Sequence, residues 1–164
     1  MVKKFILNAD GFGMYKAINF AVLDAYSSNF LTSASIVPNG EFFEEAINII
    51  APRCPGLDIG INLNITKGKS VSQDVNLLIN SNEEFCNKYF DILREVYGIH
   101  HKEFLNQIEL EFISQIEKVI SKTKVTHIDS YCNIHMIPPI FKIVCKLAKQ
   151  YNIQYVRTDR KSVV

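Results

Sequence analysis

Apolar positions recur along the chain with two periods. Between residues 58 and 66, Ile59, Ile61, Leu63 and Ile65 alternate with Gly60, Asn62, Asn64 and Thr66, the period of a strand with one polar face. Between 102 and 121, Phe104, Leu105, Ile108, Phe112, Ile116, Val119 and Ile120 recur at helical spacing. The same reading predicts strands at 4–8, 32–37, 125–129 and 154–157, and helices at 15–28, 41–51, 83–97 and 140–151. Residues 9–13 read as a glycine turn and 67–69 as a loop, while 70–80 fit neither period. For 70–100 the pattern leaves open a lid over a pocket or a segment packed on the sheet. Strands alternating with helices predict one α/β domain over 1–164 with a parallel sheet. In such folds chemistry gathers at the C-terminal ends of the strands.

The most informative stretch is 126–136. His127, Asp129, Tyr131, Asn133 and His135 alternate with Ile128, Ser130, Cys132, Ile134 and Met136. In an extended chain these two sets face opposite sides, so the first set is expected to floor a polar site. Asp10 after the first strand, and Asn62 and Asn64 on the third, are expected on the same rim. Asp10 also suits a turn carboxylate. Asp129 reads equally as a structural acceptor or as a catalytic or orienting group. His135 is expected in the site, His127 packed behind it, and Cys132 buried and inert. His100 and His101 are expected on the surface.

Composition narrows the partners. The chain has 164 residues, 48% hydrophobic and 21% charged, with a net charge of +1. That balance gives no basis for a nucleic-acid or anionic-membrane partner. No apolar run reaches the length of a membrane span, and the first residues lack a signal-peptide pattern. Cys54, Cys86, Cys132 and Cys145 form no CxxC pair and read as reduced thiols, so a cytoplasmic location is expected.

Four segments together resemble one family. Asn8-Ala9-Asp10-Gly11-Phe12-Gly13 resembles its NADDFG opening, and 31–40 resembles its LTSTS-x-MVNG segment. Gly60-Ile61-Asn62-Leu63-Asn64 resembles its G-x-H-L-x segment, and 126–136 resembles its THxDSHxHxHM segment. The family is the YdjC-like (ChbG/HpnK) carbohydrate deacetylases, and the likeness runs in order from residue 4 to about residue 157. It implies an incomplete TIM-like (β/α) barrel, a divalent metal (Mg or Zn), and hydrolysis of N-acetyl groups on sugars such as acetylated chito-oligosaccharides. A metal with an open position polarises the amide carbonyl and activates water. A carboxylate then takes the water's proton, and an imidazole protonates the leaving amine.

The inherited metal ligands are replaced here. Their positions fall on Gly11, Asn62 and Tyr131, none of them a good zinc ligand. Asp10 (the family's base position), Asp129, Ser130 and His135 survive. The expectation is therefore a catalytic set of Asp10, Asp129 and His135 with the metal absent or weakly bound. Asn62, Asn64, Tyr131 and Asn133 would hold sugar hydroxyls. Activity is expected to be lost or altered, the alternatives being a glycan-binding pseudoenzyme or a truncated remnant. The resemblance also implies further strands and an Arg/Glu region beyond Arg157, with residues 157–160 as its start. The sheet is then expected to expose an edge, which either is covered by a partner such as a second copy or marks a truncated product.

Overall fold

A computed structural model describes residues 5–158. Five parallel strands form one sheet in the order β1 (Asn8–Phe12), β2 (Ser33–Ile36), β3 (Asp58–Leu63), β4 (His127–Ser130) and β5 (Tyr155–Val156). Sequential order with intervening helices is the order found in (β/α) barrels. The five-stranded sheet has two chemically different faces. Ala34, Ile36, Ile59, Ile61 and Ile128 are buried against the helices. Asn8, Asp10, Ser33, Ser35, Asn62, His127 and Asp129 occupy the alternate positions, with Gly60 among them, and bring their polar groups together on the other face.

The helices are α1 (Lys16–Ser27), the short α2 (Phe43–Glu45), α3 (Tyr89–Val96), α4 (His101–Ile120) and α5 (Pro138–Gln150). Their apolar stripes form a single core that includes Val22, Phe43, Ile108, Phe112, Ile116, Val144 and Leu147. The helix expected at 41–51 is instead α2, continued by a π turn at Ala46–Ile50 and a 3-10 turn at Ala51–Arg53. Pro52 lacks the N–H that regular helix geometry requires there.

Three other expectations shift. The first strand lies at Asn8–Phe12, not on the apolar run 4–8, and Lys4 lies outside the described residues. Phe5 and Ile6 are strongly exposed. The helix expected from 83 starts only at Tyr89, and Glu83 has a positive φ of 62° that no right-handed helix accepts. Strand β4 ends at Ser130, close to the expected 129, but the extended alternation expected through 135 does not continue, and Tyr131–Met136 winds into 3-10 turns with Cys132 and Asn133 in left-handed geometry. The start of the Arg/Glu region at Asp159 and Arg160 lies outside the described residues.

Residues 69–88 pack as an irregular segment with antiparallel bridges between Lys69 and Glu84 and between Ile79 and Phe85. Val75, Leu78 and Phe85 join the core. The polar side chains of α4 hold this segment in place. Glu111 accepts hydrogen bonds from the amides of Val71 and Ser72, and Gln107 accepts one from Leu77.

Candidate functional site

Each strand delivers its site residue by register. Asn62 on β3 pairs with Asp129 on β4, and Asp10 on β1 pairs with Ser35 on β2. Between Asp10 and Phe12 the β1–β2 register slips, at Gly11 with φ 81°. The irregularity turns the chain into the Gly11–Gly13 bend. Asn19 of α1 fixes that bend by accepting a hydrogen bond from the Gly13 amide at 2.8 Å.

Gly11, Asn62 and Tyr131 line one cavity of about 220 Å³ together with Asp10, Ser130, Cys132 and Asn133. Met14, Tyr15 and Ile18 of the first bend and helix complete its wall. The strand ends thus bring five of the seven expected site residues to one place or its immediate backing. Asp10, Asn62, Tyr131 and Asn133 line the cavity, and Asp129 lies behind Asn62, 1% exposed.

The other two lie elsewhere. Asn64 is fully buried and occupied by structure: its side chain donates to Asn39 Oδ1 and the Lys67 carbonyl and accepts from Thr66. It shapes a loop and has no free group for a sugar. His135 is buried away from the cavity because the chain leaves extended geometry after Ser130. Its Nε2 donates to the Arg157 carbonyl at 2.7 Å, so in the neutral ring Nδ1 accepts from the Ser130 hydroxyl at 2.5 Å. Cys132 is exposed on the cavity wall, not buried, for the same backbone reason.

The centre of charge is Arg157, which the sequence reading did not place in the site. Its Nη1 donates to Asp10 Oδ1 at 2.6 Å and to Asp129 Oδ2 at 3.2 Å. Burial disfavours its charge, but the two carboxylates outweigh burial and hold the guanidinium more firmly protonated than usual. Asp129 is further bound by the Asn62 amide at 2.6 Å and the Ser35 hydroxyl at 2.7 Å. Ser35 also meets His127 Nε2 at 3.0 Å, and Asn8 donates to both Asp10 and Ser35. The sequence reading did not single out Asn8, Ser33 and Ser35, although Ser33 and Ser35 alternate at the same period as Gly60 and Asn62.

Burial pushes the His127 pKa down despite the attraction of Asp129. The ring is therefore neutral at pH 7. Ser35 spends its proton on Asp129, so His127 Nε2 carries the hydrogen toward Ser35 and Nδ1 accepts from Thr126. Gly60 leaves the room for this ring, since a Cβ there would run into the imidazole.

The divalent ion that the family resemblance implies does not fit these residues. Gly11 offers no side-chain donor atom, and a carboxamide and a phenol are weak zinc ligands. Asp10 and Asp129 are bridged by a fixed cation. Among the described residues no three His, Cys, Asp or Glu side chains are grouped to hold a metal.

Comparison with known proteins agrees on the lineage. The family model for YdjC-like proteins matches residues 4–163. A carbohydrate deacetylase of Clostridium beijerinckii is 34% identical over 151 residues, 92% of this chain and 58% of its own length. A chitooligosaccharide deacetylase of Escherichia fergusonii is 32% identical over 165 residues, 99% of this chain and 62% of its own. The chain therefore spans about three fifths of the length of these relatives. A crystal structure from Enterococcus faecalis, described as a cellobiose-phosphate cleavage protein, superposes with a TM-score of 0.80 at 24% identity. It covers 96% of this chain and 59% of that one, which supports the fold alone. With its motifs in order and the match spanning nearly its full length, this chain belongs to the YdjC-like protein family.

Proposed function

We propose that the chain binds an amino sugar or its oligosaccharide, N-acetylated or free, in the cavity at the ends of β1, β3 and β4, without the metal-assisted hydrolysis of its family. The relatives' names point to carbohydrate, and the wall suits it. Tyr15 and Tyr131 offer ring faces and hydroxyls, and Asn62 and Asn133 offer carboxamides for sugar hydroxyls. A groove of about 620 Å³ shares Met14 and Tyr15 with the cavity and runs on to Asn39, Glu41, Lys67 and Glu84. That extension suits a second sugar unit.

The observation that carries the reading is the Asp10–Arg157–Asp129 bridge. Amide hydrolysis near neutral pH needs a polarised carbonyl and an activated water. In this chain both surviving carboxylates face a fixed guanidinium. A rebuilt catalytic set of Asp10, Asp129 and His135 is disfavoured, because both His135 ring nitrogens are engaged within the chain. Two measurements test this: acetate release from acetylated chito-oligosaccharides with added Mg²⁺ or Zn²⁺, and sugar binding by calorimetry. Binding without acetate is the expected result. Turnover with close to one equivalent of bound metal would overturn the reading.

A further inference from the structure

Asn62 Oδ1 is a buried side-chain acceptor with no hydrogen-bond partner among the described residues. Its orientation is not arbitrary. The amide nitrogen lies 2.6 Å from Asp129 Oδ1, and a carboxylate can only accept. The oxygen must therefore be the atom left over. The residue is 2% exposed and belongs to the cavity wall. Leaving such an acceptor unpaired is costly, and a ligand that brings a hydrogen removes the cost.

Asp10 adds a second acceptor on the same wall. Both of its contacts, from Asn8 and Arg157, go to Oδ1, and its side chain is about half exposed. Formal charge points the same way. Asp10 and Asp129 against Arg157 leave one negative charge, since burial keeps His127 neutral. Lys67 is bonded to the hydroxyl of Tyr15, a wall residue that the cavity shares with the larger groove, and balances that charge over the site as a whole, so the negative group is local to Asp10. The cavity thus offers acceptors, with the half-exposed Asp10 carboxylate as its negative group.

We propose that the cavity recognises a protonated amine, the free amino group of an amino sugar, which donates to Asn62 Oδ1 and to the Asp10 carboxylate. This rests on the carbohydrate reading above and names the form of sugar preferred. An ammonium has three hydrogens and a charge to match the site, whereas the N-acetylated group has one hydrogen and no charge.

Calorimetry at pH 6.5 with the free-amine disaccharide of glucosamine and with its N,N′-diacetylated form tests this on wild type, Asp10→Asn and Asn62→Leu. Circular dichroism checks that each variant is folded, and Asp10→Asn alters a half-exposed side chain while Asp129 keeps its own contact with Arg157. The free amine should bind wild type at least about tenfold tighter, the effect of one charge-assisted hydrogen bond. Both substitutions should shrink that ratio toward one. Equal or tighter binding of the diacetylated form overturns the amine proposal and leaves the carbohydrate reading standing. A ratio that survives in both folded variants also overturns the proposal. Binding of neither sugar to wild type overturns both.

Discussion

At the scale of single residues, the polar interior works by fixing side chains that would otherwise compete for the same acceptors. Gly60 is the least conspicuous of these devices. Its missing Cβ is the space in which His127 meets Ser35. Gly60→Ala should push the ring off Ser35 and lower stability by about 1–3 kcal/mol, the usual cost of overpacking. Denaturant unfolding checks this, and an unchanged midpoint would mean that the ring has another place to go. His127 also sets a pH dependence. Burial lowers its folded pKa below the ordinary 6.5, so the neutral ring is the form the fold favours. Its stabilising contribution is complete above about 6.5 and is lost as pH falls through the lower folded value. Melting temperature should drop on acidification from pH 7 toward 5. The drop should be shallower in His127→Gln. Equal slopes for the two proteins would assign the dependence to other groups.

At the scale of elements, helix α4 reads in the sequence as an amphipathic rod, but three of its polar residues are buried. Gln107, Glu111 and Gln115 form a line that holds the 64–77 backbone through five hydrogen bonds. Burial raises the Glu111 pKa above its ordinary value, while the amides of Val71 and Ser72 and the Gln115 side chain pull the other way. Glu111→Ala should leave those amides unpaired, speed hydrogen exchange at Val71 and Ser72, and cost about 1–3 kcal/mol. Unchanged exchange at both amides would show that the segment is held by Val75, Leu78 and Phe85 alone. This segment marks the limit of what the pattern revealed. The helices α1, α4 and α5 and the strand β3 were legible because one face of each is apolar. Strand β1 was misplaced because its inward residues, Asn8 and Asp10, are polar, so the apolar run before it drew the assignment. The turn at 131–136 was hidden because alternating residue types continue past Ser130 while the backbone does not. Arg157 was missed because nothing local marks it, and only the closing of β5 against β4 brings it to Asp10, 147 positions away.

At the scale of the whole molecule, the cavity is the meeting point of strand ends that lie far apart in the chain, and this makes the inherited metal positions testable as a set. Gly11, Asn62 and Tyr131 line the same hollow, although none of them is a useful ligand. If the hollow is the family's metal position, then Gly11→Asp, Asn62→His and Tyr131→His together should create one carboxylate and two imidazoles around one point, a donor set suited to a divalent ion. Each single change should fail, because one or two ligands do not hold zinc against water. The first change carries strain, since residue 11 has a φ of 81°, and Asp tolerates that region better than most residues. A loss of roughly 1–3 kcal/mol is expected from it. Arg157 still bridges Asp10 and Asp129 in this variant, so the ion would depend on the three new groups and meet a nearby positive charge. Adding Arg157→Met should therefore tighten binding further. Metal content after incubation with Zn²⁺ and gel filtration reads the result: close to one equivalent in the triple variant against little in the wild type. A triple variant that is folded by circular dichroism yet stays metal-free would mean that this hollow is not the family's metal position.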